Sequence, residues 1–246
     1  MADIPDADQR PDAPRSIHYR RVVHLSHVLT PGMPEWPGDP PLAVDPVATI
    51  AADGYALRRL TVGEHSGTHA NAPSSFHAGG APIDAYPAES LVRPAAVIDI
   101  TAAAARDADH RLTVGEIVGW ESAHGPIVAG ALVLVHSGWA SRWGDPARFL
   151  NRGAAGRMHF PGVSLAAAEW LLGERSVSGI GIDTHGIDGG DAETFAVNAR
   201  VLEQPRLVLE NLANLDRLPP TGATVVVGVL RLRGGTGSPA AVLAFV

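Results

Sequence analysis

The chain has 246 residues, 46% of them hydrophobic and 18% charged, which is enough apolar material for a sizeable core and argues against extended disorder. Its formal net charge is -7, from 26 acidic against 19 basic side chains, and no block of Lys or Arg stands out, so the electrostatic footprint of a nucleic-acid or anionic-membrane partner is missing. Cysteine is absent, which excludes disulfides and thiol catalysis and leaves His, Asp, Glu or Asn to hold any metal.

The opening stretch "MADIPDADQRPDAPRS" is acidic and proline-bearing and lacks an apolar run. It reads as a flexible tail over residues 1–20 rather than a signal peptide, followed by a single domain over residues 21–246. No stretch approaches the roughly 20 apolar residues of a membrane span, so a cytoplasmic protein is expected. Short apolar runs predict buried strands at residues 22–25, 95–100, 131–135, 177–182, 207–209, 225–232 and 240–245. Between the first two lies "LTPGMPEWPGDPP" (29–41), whose prolines each remove a donor and restrict the preceding residue, so it predicts a long irregular loop. "YALRRLTVGEH" (55–65) is strand-like again. Thr113 and Glu116 have capping-box spacing ahead of Ile117 and Trp120. Ser164 can cap "LAAAEWLLGE", a helix expected to stop near Gly173, and residues 198–204 predict a short third helix closed by Pro205. Strands with few helices and no regular βαβ alternation predict an α/β domain with a mostly non-Rossmann sheet.

The segment "EHSGTHANAPSSFHAGG" (64–80) concentrates His65, His69 and His77 with two adjacent glycines and a proline. His65 and His69 flank Gly67, which permits backbone angles that a side chain forbids, so a sharp turn can swing both imidazoles to one side. Asn71 follows two residues later and can complete a set of three. By spacing alone the stretch is a weak signal and reads first as a polar turn, because the third member is not acidic.

Resemblance adds to that reading. The segment resembles the His-x-Gly-Thr-His-x-Asp-x-Pro-x-His-Phe signature of the cyclase-like metal-dependent hydrolases, the family of bacterial kynurenine formamidase, isatin hydrolase and polyketide cyclases. "HLSHVLTPGMPEWPGDPP", "IDAYPAESLVRPAAVIDI", "VLVHSGWASRWGD", "HFPGVSLAAAEWL", "GIGIDTHGID", "VLENLANLDRLP" and "GGTGSPAAVLA" follow in family order, from about Val23 onward. The resemblance implies an α/β fold, the compact mixed-sheet β/β/α swivelling-type domain of that family. It implies a homodimer or homotetramer acting on a small-molecule substrate, and a divalent ion, zinc or manganese. Three positions depart from the signature: Asn71 stands for aspartate, Ser75 for histidine, and Asn198 for a histidine ahead of Glu210. Two close divalent ions need anionic bridges to offset their repulsion, so at most one ion is expected, held by His65, His69 and either Asn71 or Glu210, and bound weakly or absent, because an amide is a poor ligand.

His77 and Glu210 are the candidate catalytic groups. His77 suits proton transfer near neutral pH and reads as well as a solvent-facing loop histidine. Glu210 closes an apolar strand, where a carboxylate is costly unless it has a partner. Trp36, Ser75 and Asn198 are candidates for contacting substrate, Trp36 by shaping a slot for a planar ring. Asp183 reads as a loop anchor, while His185 and His136 are within sequence reach of the cleft without anything deciding their place. Three functions remain: hydrolysis of a carbonyl C–N or C–O bond in an aryl formamide, lactam or lactone; cyclisation of a small aromatic or polyketide precursor; or non-catalytic binding. Hydrolysis is the expectation.

Overall fold

Residues 16–246 are described by a computed structural model; residues 1–15, most of the expected tail, lie outside them. The strands in chain order are β1 (Val22–His24), β2 (Ala43–Ala48), β3 (Leu57–Thr61), β4 (His69–Asn71), β5 (Val92–Asp99), β6 (Arg111–Leu112), β7 (Leu132–His136), β8 (Gly162–Val163), β9 (Gly179–Ile182), β10 (Leu207–Glu210), β11 (Thr224–Val229) and β12 (Gly237–Phe245). The helices are α1 (Ile50–Asp53), α2 (Thr101–Ala104), α3 (Val114–His124), α4 (Pro146–Leu150), α5 (Leu165–Arg175) and α6 (Ala196–Val201).

Eight strands form one sheet in the order β1-β12-β11-β5-β7-β9-β10-β4, and β4 also pairs with β12. That last pairing closes the sheet into a barrel-like core. The long strand β12 makes it possible: Gly237, Ser238 and Pro239 lie opposite Asn71, Ala70 and His69 of β4, while residues 240–245 pair with β11. The centre, β5-β7-β9-β10, is parallel throughout. The crossovers carry α3, α5 and α6, so the expectation of no βαβ alternation is corrected for this half of the sheet. Parallel strands need such crossovers, and helices on the outside then bury the strand faces.

Alternation along the central strands explains the two cores. In β7, Val133 and Val135 face α5, packing with Ala167, Ala168 and Leu171, whereas Leu132 and Leu134 point inward with Val97, Leu209 and Val225. Gly181 of β9 is on the inner side because a Cβ there would meet Leu212 and Leu134 at 2.8 and 2.9 Å. The capping box at Thr113 forms, with its side chain accepting from the Glu116 N–H and the Glu116 carboxylate accepting from the Thr113 N–H. Ser164 caps α5 as expected, but the helix continues through Gly173 to Arg175, because the left-handed residue that ends it is Ser176. The third helix sits earlier than expected, since Asp188 accepts the N–H groups of Val197 and Asn198 and fixes its start.

The ribbon β2–β3 stands apart from the main sheet, and every residue of β3 is exposed. The proline loop ahead of it has no regular structure, as its composition requires. Among the described residues no helix is long and apolar enough to cross a membrane.

Candidate active site

Strand register builds the site. His69 of β4 lies opposite Glu210 of β10 on one side and Pro239 of β12 on the other. The two side chains meet at 3.1 Å, from His69 Nε2 to Glu210 Oε2, both buried. His65 arrives from the preceding turn, where Gly67 has φ +63 and a Cβ would lie 2.4 Å from Leu29 Cδ2. The His65 and His69 rings meet edge to face at 5.3 Å. Gly237 leaves room for the first of them, since a Cβ there would come within 2.5 Å of His65 Cε1.

Hydrogen-bond polarity fixes most of these groups. The Asn198 amino group donates to Asp188 Oδ2 at 3.1 Å and Glu210 Oε1 at 3.0 Å, which can only accept. Its oxygen therefore faces Asn71, and Asn71 Nδ2 donates to it at 3.2 Å. Asn71 Oδ1 in turn lies 2.7 Å from His65 Nδ1, so that nitrogen carries hydrogen. His65 Nε2 is 3.0 Å from the Thr236 hydroxyl, which also bonds Glu64 Oε2 at 2.5 Å. The two asparagines are thus a matched pair: an acceptor-only carboxylate at position 71 would face the Asn198 oxygen.

The His69 Nδ1–H donates to the Gly67 carbonyl at 2.9 Å. Its Nε2 would then present a lone pair to a carboxylate, an arrangement that needs a shared cation between the two, either a proton or a metal ion. Burial pushes the Glu210 carboxyl upward, but the hydrogen bonds from His69, Asn198 and the Ile187 N–H prevail and hold it down at about 2. Burial and the neighbouring His69 lower His65, outweighing Asn71, Glu210 and Glu64. Burial raises Asp188, against the N–H groups that bond it.

These residues line a cavity of about 550 Å³. Trp36, Ser75, His65, His69, Asn71, Asn198 and Glu210 all border it, as do Phe76 and Phe195. Phe195 stands 5.9 Å from Trp36 and 5.7 Å from Phe76, giving the opening an aromatic wall. His77, the candidate proton-transfer group, does not border it; its Nε2 lies 2.8 Å from the Ala199 carbonyl and ties the loop to α6. The low pKa of Glu210, about 2, suits an anionic partner to His69 better than a general base. Asp183 accepts from the Ser137 N–H and hydroxyl, the loop anchor its position suggested. His136 approaches Asp99 and stays outside the cavity. Sequence reasoning missed Thr236, Asp188 and Asn211; the glycines around Thr236, which allow close backbone approach, were the available signal for the first.

A sheet-closed α/β scaffold with paired imidazoles and a buried carboxylate at the foot of an aromatic cleft defines a class of enzymes that work on carbonyl compounds. The model of the Cyclase family, described as "Putative cyclase", matches residues 23–189, and the chain belongs to that family. Isatin hydrolase of Roseibium aggregatum is 35% identical over 242 residues, covering 92% of this chain and 91% of that protein. Kynurenine formamidase of Erythrobacter litoralis is 26% identical over 201 residues, covering 81% and 82%. Among solved structures, isatin hydrolase A from Ralstonia solanacearum superposes with a TM-score of 0.85 at 36% identity, covering 92% of each chain. A protein from Bacillus stearothermophilus described as a "predicted metal-dependent hydrolase" superposes with a TM-score of 0.68 at 25% identity, covering 92% of this chain and 98% of its own. These relatives with stated activities are hydrolases.

The donor set of this chain suits at most one divalent ion. The demand of the His69–Glu210 pair for a shared cation suits a single ion with nitrogen and carboxylate donors. A second ion lacks its anions, because Asn71, Ser75 and Asn198 are neutral. Among the described residues no group of three or more His, Asp or Glu converges to hold a metal, so the first ion depends on an amide or solvent to complete its shell.

Proposed function

We propose that this chain hydrolyses a carbonyl C–N bond in a small aromatic substrate, with a lactam such as isatin as the first candidate and an aryl formamide as the second. The observation that carries the reading is the cavity itself: an aromatic wall of Trp36, Phe76 and Phe195 leads to the His69–Glu210 pair at its floor. The 35% identity to an isatin hydrolase over nearly the whole chain supports it.

Trp36 and Phe195 hold a planar ring and exclude water from one side of it. His65, His69, Asn71 and Glu210 are the groups that would hold one divalent ion, zinc or manganese, which when bound polarises a carbonyl and lowers the pKa of water. Glu210 keeps negative charge at the floor, and Asn198 and the Ile187 N–H fix its orientation. The Thr236 hydroxyl lies between Glu64 and His65, donates to the carboxylate at 2.5 Å, and so fixes the position of both groups. Ser75 donates its hydroxyl to the Thr236 carbonyl, so it supports that strand end more than it meets substrate.

Purified protein is incubated with isatin and with N-formylkynurenine, with added Mn²⁺ or Zn²⁺. Turnover of one of them, reduced at least about 100-fold by His69→Ala or Glu210→Ala, is the expected result. Failure on both, with ring closure of an aromatic precursor instead, supports the cyclase reading, which the weak basicity of Glu210 favours. We further propose a homodimer or homotetramer. An isolated two-stranded ribbon is marginal in water, and β2–β3 leaves Val47, Tyr55, Leu57 and Leu60 roughly half exposed. Light scattering that finds only monomer refutes it.

A further inference from the structure

His185 is almost fully buried, at 4% exposure, and borders the cavity, yet its Nε2 makes no hydrogen bond of ordinary geometry, the Glu35 backbone bearing on the ring only weakly. Its ring is held edge to face by Trp36 at 5.4 Å and Phe149 at 5.8 Å. Asn211 decides which nitrogen carries the hydrogen. The Asn211 amino group donates to the Gly67 carbonyl at 2.8 Å, which settles the orientation of the amide, because a carbonyl only accepts. The same amino group lies 3.2 Å from His185 Nδ1, which must then be the lone pair. The hydrogen of the neutral ring is left on Nε2.

We infer that His185 donates its Nε2–H to the carbonyl oxygen of the bound substrate. A buried donor without a well-formed bond is costly unless a ligand completes it, and the carbonyl of a planar amide or lactam is an acceptor of the right kind. Trp36 packs on the ring and also borders the cavity, so the aromatic part of such a ligand and its oxygen are recognised by adjacent groups. Burial and nearby His69 lower the imidazole to about 4, outweighing Glu210 and the Glu35 backbone, so the ring donates as a neutral group across the physiological range. A neutral donor polarises a carbonyl without surrendering its proton, and it adds no positive charge to a site whose donors would suit a cation.

This inference rests on the reading of the substrate as an aromatic carbonyl compound, and the test separates the two. In histidine-labelled protein, nitrogen NMR identifies the His185 signal by its loss in His185→Gln. The free protein should show the Nε2–H tautomer. Isatin, phthalimide and formanilide should move that resonance, whereas indole, which has no carbonyl, should not. His185→Leu should lower kcat/KM for whichever compound is turned over about tenfold or more, and His185→Gln, which keeps an N–H at similar reach, should recover part of it. A shift without hydrolysis leaves the inference standing and removes the hydrolase reading. Hydrolysis without a shift, or a tautomer with hydrogen on Nδ1, overturns the inference alone. Neither shift nor hydrolysis overturns both.

Discussion

Glu210→Gln should flatten the acid limb of the stability curve. In the folded protein the carboxyl is held at about 2 against an ordinary value of 4.5. Each tenfold change in an acid constant is 1.36 kcal/mol, so the depressed carboxyl contributes on the order of 3 kcal/mol of stability at neutral pH. The folded value lies below the unfolded one, so this contribution is fully present above about pH 4.5. It is lost as the pH falls through 4.5 towards 2. By pH 3.5 about 1.4 kcal/mol of it should be gone, because one decade separates that pH from the unfolded value. Chemical unfolding of wild type and variant at pH 7, 5, 4 and 3.5 measures the difference directly. The wild type should lose that amount relative to Glu210→Gln, with the denaturant slope unchanged in both. Parallel curves would refute the argument that His69, Asn198 and the Ile187 N–H stabilise the anion.

Three further outcomes follow from the same geometry. Asn71→Asp should cost about 1–3 kcal/mol without metal, since it sets an acceptor against the Asn198 oxygen, and added Mn²⁺ or Zn²⁺ should raise its melting temperature more than that of the wild type. Gly67→Ala should destabilise by about 1–3 kcal/mol, because the left-handed backbone penalises a Cβ and Leu29 must move, and activity should fall with it; an unchanged melting temperature counts against the turn geometry. His77→Ala should lose about 1 kcal/mol of stability through its bond to the Ala199 carbonyl while kcat stays within about twofold; a large fall in kcat would restore the proton-transfer role.

The central strands were legible because their residues are buried on both faces and form continuous apolar runs: "AAVIDI" and "ALVLV" lie within or against β5 and β7. The capping residues Thr113 and Ser164 were legible because capping is local chemistry. Strand β4 was not, for it is only "HAN", two polar residues around an alanine, fully buried through pairing on both sides. The same reason hid the site's organisation. His69 meets Glu210 across 141 positions of sequence by strand register, a relation that no spacing along the chain encodes. The family pattern led to His65, His69 and Glu210, whereas the physical role of Asn71 and Asn198 emerged only when their amides were seen to match. His77 looks chemical because it stands beside a signature, while its side chain bonds a helix carbonyl.

Strand β4 is gripped by backbone bonds from β10 and from β12, so positions 69 and 71 are located by main-chain pairing whatever side chains they carry. Exchanging carboxylate for amide, or imidazole for amide, then alters the charge of the floor while its shape stays put. A scaffold of this kind lets evolution revise electrostatics one residue at a time, and the chemistry can drift while the walls of the cleft remain where they are.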